Sequence, residues 1–280
     1  MRTLKLLLMR ANHLVRVTLF RRRAFVRLLF GVEVIADSSL QTYCEWATIL
    51  LRLRLHRHLE PGYRVLDLGT GAQALVAILA KRICPEASVL ATDILPERVE
   101  WAHRTIAKNR VDVECRQADL FQGISGRFDL ILLTPPAIPS GELRSLGFEQ
   151  KTVAGLGTRY CWSGDGGQDG LDVIRPFLGE LAEHLTDHGR GLVCVNPLHC
   201  SPQCIRELCE RCALVVEHTY RLPGVMHGYV IAATAGCANP SSYHPSLPIQ
   251  TARFRKIVDR LHLSARLTTN GTNSFETTKS

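Results

Sequence analysis

Between residues 64 and 82 the hydrophobic pattern changes character twice. Val65 and Leu66 are apolar and β-prone, Asp67-Leu68-Gly69-Thr70-Gly71 interrupts them, and Ala74 to Ala80 is an unbroken apolar run. This is a strand, a glycine turn and a buried helix. The pattern repeats downstream. Apolar runs predict strands over 87–92, ending in Asp93, over 111–117, ending in Ala118-Asp119, and over 128–133, ending in Thr134-Pro135-Pro136. Further strands are predicted over 192–196, 214–221 and 227–234. Helical periodicity predicts helices over 96–109, with Pro96 in the first turn, over 170–185 and over 202–212. A Gly- and polar-rich loop is expected over 138–168, and a turn at Gly189-Arg190-Gly191. The alternation of strand and helix implies an α/β fold, a doubly wound, seven-stranded, mainly parallel sheet. The last connection is too short for a helix, so the final strand is expected to be antiparallel.

Upstream, the period of Leu40, Tyr43, Cys44, Ala47, Leu50, Leu51 and Leu55 predicts a helix over 39–58, with Ser38 or Ser39 as N-cap. After Ala238 the chain turns Pro/Ser-rich. A short helix over 251–263 and a disordered end over 267–280 are expected. The divisions are a basic helical segment and hairpin over 1–36, a ligand-binding catalytic domain over 37–236, and a tail over 237–280.

Charge changes the picture in one place. The 280 residues carry a net charge of +8, and residues 1–30 hold eight Arg/Lys and no acid. The rest of the chain is balanced, so it is not a basic body built around nucleic acid. Within 3–30, Leu, Val and Phe alternate with Arg in a loosely helical pattern. A helix packed on the main domain, a helix for an acidic partner or membrane surface, and an Arg-rich transit segment all fit. A twin-arginine signal fits poorly, because Glu33 and Asp37 interrupt the apolar stretch that should follow. No apolar run reaches the ~18 residues that span a bilayer. The ten cysteines follow no framework of a small secreted protein, which points to a reducing cytoplasm. Cys200, Cys204, Cys209 and Cys212 match no common zinc spacing, and no metal is expected.

In an open α/β sheet the ligand lies at the carboxyl ends of the strands. Three acids stand there in succession: Asp67, Asp93 and Asp119. Gly69 and Gly71 let the backbone turn tightly and a ligand approach it. The turn lacks the third glycine of a dinucleotide fingerprint, and no P-loop Lys-Ser/Thr follows. Asp93 is placed to accept from two ribose hydroxyls and Asp119 from an adenine amino group.

The Asp67-x-Gly69-x-Gly71 turn resembles motif I of class I S-adenosylmethionine-dependent methyltransferases. Thr134-Pro135-Pro136-Ala137 stands where methyltransferases of planar nitrogens have Asn/Asp-Pro-Pro-Tyr/Phe. Gly166-Gly167-Gln168-Asp169-Gly170-Leu171 resembles a segment of the HemK family, which methylates glutamine side chains of release factors and a ribosomal protein. Phe30-Gly31-Val32-Glu33-Val34 is similar to the hairpin preceding that family's catalytic domain. The resemblance spans about residues 28–235. It implies S-adenosyl-L-methionine as cofactor, held by Asp67, Gly69, Thr70, Gly71, Asp93, Ile94, Asp119, Leu120 and Thr134. Thr134, Pro135 and Pro136 would form the catalytic lip.

Two departures bear on the acceptor. Thr134 replaces the amide that orients the target nitrogen, and Ala137 replaces the aromatic residue that stacks on it. Tyr160 and Trp162 are candidates for the missing aromatic wall. Glu142, Glu149, Tyr160 and Asp165 are candidates for a general base. The family's N-terminal recognition bundle also has no counterpart in residues 1–29. The expectation is therefore methyl transfer to a nitrogen or oxygen of a small molecule. The alternatives are a protein-glutamine or RNA methyltransferase, and a non-catalytic binding protein of the same fold.

Overall fold

A computed structural model of the chain describes residues 7, 11, 14–15, 18–35, 44–145, 164–222 and 225–233. Its framework is a seven-stranded sheet in the order β3-β2-β1-β4-β5-β7-β6. The strands are β1 (Arg64–Leu68), β2 (Ser88–Asp93), β3 (Glu114–Gln117), β4 (Phe128–Leu133), β5 (Leu185–Val195), β6 (Leu214–Leu222) and β7 (Met226–Ala233). β1 to β5 run parallel, and β7 is antiparallel to both β5 and β6. The fold is the doubly wound, mainly parallel α/β sheet that the alternation implied. Met1–Pro240 make up one unit.

Period-two alternation sorts the strand residues into two cores, one on each face. Val65, Leu130, Leu132, Leu192 and Cys194 point into one core. Leu66, Leu68, Ile131, Leu133, Val193 and Val195 point into the other. The first face is covered by α1 (Arg23–Phe30), α2 (Trp46–Arg54), α3 (Leu75–Ile83) and α4 (Pro96–Lys108). The second is covered by α6 (Ile174–His184) and α7 (Pro202–Arg211). A short α5 (Ser140–Ser145) follows β4.

Several boundaries move from their expected places for local reasons. α2 starts at Trp46, because Glu45 closes a capping box with Thr48: the Thr48 hydroxyl accepts the Glu45 N–H at 3.2 Å, and the Glu45 side chain accepts the Thr48 N–H. Ser38 and Ser39 lie outside the described residues. The Gly189-Arg190-Gly191 turn does not form. β5 runs through it, with a register shift against Phe128 and Leu130. Glycine is required there because a Cβ on Gly189 would meet the Phe128 carbonyl at 2.6 Å. α6 begins at Ile174 rather than Gly170, because residues 166–172 are drawn into a tight turn.

Of the expected hairpin over 30–34, the described residues form no strand ladder. Phe30 ends α1, Gly31 caps it at φ 68°, and residues 31–35 continue without strand pairing. Instead, the Asn109 side chain accepts the Glu33 N–H at 3.0 Å and donates to its carbonyl at 2.8 Å. α1 is docked through buried Val26 and Phe30, and Phe20 packs edge-on against Trp46. The expected helix over 251–263 and the tail lie outside the described residues.

Candidate active site

The strand order reverses between β1 and β4, which opens a crevice at their carboxyl ends. The β1–α3 turn lies on one side of it. Gly69 and Gly71 both have φ 68°, so a side chain there would be strained. A Cβ on Gly69 would meet nothing within 4 Å, so the turn faces open space. Asp67 holds the turn from below. Its Oδ2 accepts the Thr70 hydroxyl at 2.6 Å, and its carboxylate accepts the Ala77 N–H. Burial outweighs these two bonds and raises its pKa from 3.8 to about 7.

Asp93 ends β2 and ties it to the same turn. Its Oδ2 accepts the Gly71 N–H at 3.0 Å, and its Oδ1 accepts the Leu95 N–H at 3.0 Å. Arg98 Nη1 lies 3.8 Å from Oδ2. A carboxylate has about four acceptor positions, so two remain after these bonds. Thr70 completes the link between the strand ends by donating its N–H to the Thr92 carbonyl at 2.7 Å. Ile94 follows half-buried, and its carbonyl accepts from Gln117 at 3.1 Å. Asp119 and Leu120 lie half-exposed beyond β3, Leu120 at φ 48°.

On the other side of the crevice, Thr134, Pro135 and Pro136 leave β4 half-buried. The next residues are laced to the segment 164–170. Ile138 N donates to the Gly164 carbonyl at 3.0 Å, and Gly166 N to the Ile138 carbonyl at 2.9 Å. The Ser140 hydroxyl donates to Asp165 at 2.7 Å. The glycines are there for contact: a Cβ on Gly166 would meet Ala137 Cα at 2.8 Å, and one on Gly170 the Ala137 carbonyl at 2.6 Å. Gly167 has φ 87° and lies against the Asp172 carboxylate. Asp169 and Arg175 form an ion pair that closes the segment. Ala137 is 7 % exposed and part of the core.

Sequence reasoning missed three features. Glu142, a candidate base, and His199 form a pair at 2.7 Å between α5 and the turn after β5. Gln73 is 1 % exposed, and neither of its amide atoms has a hydrogen-bond partner; the Thr92 hydroxyl is in the same state. The signal for Gln73 was a lone amide at the head of a run of apolar residues. Tyr160, Trp162 and Glu149 lie outside the described residues. Among the described residues no group of three or more His, Cys, Asp or Glu is arranged to hold a metal ion. Burial pushes the Cys200 and Cys209 thiols up to about 12, so both behave as small apolar side chains.

A family model described as "Methyltransferase small domain" matches residues 44–147, which span α2 to α5. The sheet is the class I methyltransferase fold, and the matched residues are similar to that domain. The chain is 36 % identical over 170 residues to a release factor glutamine methyltransferase of Deinococcus radiodurans, covering 60 % of this chain and 58 % of that protein. It is 40 % identical over 134 residues to a ribosomal protein uL3 glutamine methyltransferase of Bradyrhizobium diazoefficiens, covering 47 % of this chain and 40 % of that one. The chain thus spans little more than half the length of these curated relatives, or less. A methyltransferase structure from Pyrococcus furiosus shares the fold with a TM-score of 0.54 at 20 % identity, over 80 % of this chain and 96 % of that one. A class I domain implies S-adenosyl-L-methionine as cofactor. The crevice suits it: an open glycine turn, a carboxylate with acceptor positions to spare, and buried polar atoms that lack partners.

Proposed function

We propose that the protein is an S-adenosylmethionine-dependent N-methyltransferase whose acceptor is the side-chain amide of a glutamine in a protein. The lip after β4 carries this reading. Proline has no N–H, so Thr134-Pro135-Pro136 offers carbonyl oxygens and one hydroxyl, with no donor from either proline. A primary amide brings two N–H donors on the nitrogen to be methylated, which an acceptor-rich lip can hold. The hydrogen bonds from Ile138, Gly166 and Ser140 fix the chain that continues from the lip before substrate arrives. When bound, the cofactor supplies an electrophilic methyl group on a sulfonium.

The chain's own residues provide position rather than acid–base chemistry. Asp93 has two acceptor positions left for ribose hydroxyls, Asp119 suits an adenine amino group, and Ile94 and Leu120 flank the base. Gly69, Thr70 and Gly71 form the wall of the cradle. An acceptor held in line at about 3 Å gains most of its rate from orientation alone.

The relatives' names favour a protein acceptor over the small molecule that Thr134 and Ala137 suggest in isolation. The burial of Ala137 removes part of the motive for a small molecule, because the residue lies in the core rather than on an open stacking face. Thr134 replaces two amide functions with one hydroxyl, so the substrate backbone or the Pro135 carbonyl must take the second N–H. Among the described residues no helix is long and apolar enough to cross a membrane, and a cytoplasmic protein substrate is consistent with that.

The test is incubation of the full chain with cofactor and either a release factor or ribosomal protein uL3, with the modified residue located by mass spectrometry. Methylation of a glutamine, lost when that glutamine is changed to glutamate, is the expected result. Transfer to small-molecule amines but to neither protein would refute the reading. Binding of S-adenosylhomocysteine without transfer to any acceptor would identify a non-catalytic member of the fold.

A further inference from the structure

We propose that the Gln73 carboxamide reads the amino-acid end of S-adenosyl-L-methionine, donating to its carboxylate and accepting from its ammonium. This rests on the cofactor assignment of the domain. Gln73 is 1 % exposed, and both Oε1 and Nε2 lack a hydrogen-bond partner. Among the described residues it is the one side chain with two buried polar atoms both left this way. An amide has two donors and an acceptor oxygen, and buried groups of this kind are almost always satisfied. Such a side chain fits a turn whose partner arrives from outside the chain.

Its place in the turn narrows the partner. Gln73 lies between Gly71, whose N–H is held by Asp93, and Ala74, which enters α3 at φ 45°. Ala74 is the N-cap of α3 and makes no side-chain cap bond, while the Ala77 N–H in the first turn goes to the Asp67 carboxylate. Gln73 therefore does not serve as a cap. The sheet order sets β1 between β2 and β4. The acids suited to ribose and adenine stand at the ends of β2 and β3, and the acceptor lip stands at the end of β4. A nucleoside lying over β2 and β3 leaves the β1 turn for the part of the cofactor beyond its ribose.

That part is a zwitterion, and the chemistry of an amide matches it. A carboxamide serves a carboxylate and an ammonium together and adds no charge beside buried Asp67 and Asp93. A glutamate here would repel the ligand carboxylate and add a third acid to the cluster. A leucine or methionine would fill the volume and offer neither bond.

The experiment is calorimetric titration of the full chain, as wild type, Gln73→Leu and Gln73→Met. The two ligands are S-adenosylhomocysteine and methylthioadenosine, which keeps the nucleoside and sulfur but has no amino-acid end. Both variants are expected to lose about tenfold to a hundredfold in affinity for S-adenosylhomocysteine. Their affinity for methylthioadenosine should stay within about threefold of wild type. Undiminished S-adenosylhomocysteine binding in a folded variant would overturn the proposal and assign the amide to a buried water. Equal losses on both ligands would overturn it in favour of a role in shaping the turn. If circular dichroism shows neither variant folded, Gln73→Glu provides the contrast, with the same selective loss expected. A wild type that binds neither ligand would instead refute the cofactor assignment itself, and the proposal with it.

Discussion

Replacing Asp67 by asparagine should flatten the pH dependence of stability of the ligand-free protein. The Asp67 carboxyl is buried, and its pKa rises from 3.8 to about 7, with burial as the largest cause and the nearby Asp93 charge adding to it. An acid whose pKa is raised by folding holds a proton that the unfolded chain has released. Its penalty is absent below pH 3.8, grows as pH rises, and levels off above pH 7. A shift of about three units at about 1.4 kcal/mol each makes the full penalty about 4 kcal/mol. Between about pH 5 and about pH 8 the wild type should lose about 2–3 kcal/mol from this residue alone. The asparagine side chain does not titrate, so the Asp67→Asn variant should lack that loss. Its amide keeps one acceptor oxygen and turns the other into an NH2 donor, so a bond made to the replaced oxygen is lost, which subtracts about 1 kcal/mol at every pH. Urea unfolding of both proteins across this range gives the difference of differences, in which the other titrating groups cancel. Curves that run parallel from pH 5 to pH 8 would refute the reasoning.

Three further outcomes follow from the geometry. Asp93→Ala removes the acceptor of the Gly71 and Leu95 N–H groups and the partner of Arg98, and should weaken S-adenosylhomocysteine binding by about one to two orders of magnitude in calorimetry. Wild-type affinity in a folded variant would contradict it. Gly167→Ala places a Cβ at φ 87° and 1.9 Å from Asp172 Oδ2, and should cost about 1–3 kcal/mol in thermal unfolding. An unchanged melting temperature would show that the 164–170 segment does not brace the lip. Phe20→Ala should cost about 3–5 kcal/mol, because Phe20 is 1 % exposed against Phe25 and Trp46, whereas deletion of residues 1–13 should leave S-adenosylhomocysteine affinity unchanged. Equal stability of Phe20→Ala and wild type would mean that α1 is not held by the core.

The sheet was readable because its strands are short, apolar and bounded by Gly, Pro or Asp. The helix between β1 and β2 showed as an unbroken apolar run, and the one between β2 and β3 lay in a clear 3.6 period. What misled were residues whose role depends on a partner far away in sequence. Gly189 and Gly191 look like a turn in isolation, yet Gly189 is needed because Phe128 presses on the strand and Gly191 because Leu181 does. Glu45 is an unusual N-cap, and it competes with the more familiar Ser38 and Ser39 only through its exchange with Thr48. Phe30 to Val34 has strand-like composition, but its backbone is met by side chains, Asn109 at Glu33 and Arg82 at Gly31, and no ladder forms among the described residues.

The site divides along the same line. The glycine turn and the acids at the strand ends are local patterns whose chemistry follows from residue type and spacing, and their positions could be named in advance. Ala137 could not be understood that way. Taken alone beside two prolines, it looks like a lost aromatic and hence a changed substrate. In the fold the residue lies in the core, 7 % exposed, with its backbone against Gly166 and Gly170. A buried position is not an open stacking face that the acceptor has lost. The case for a changed acceptor rests first on Thr134, where one hydroxyl stands in for an amide at the point where the acceptor nitrogen would be held.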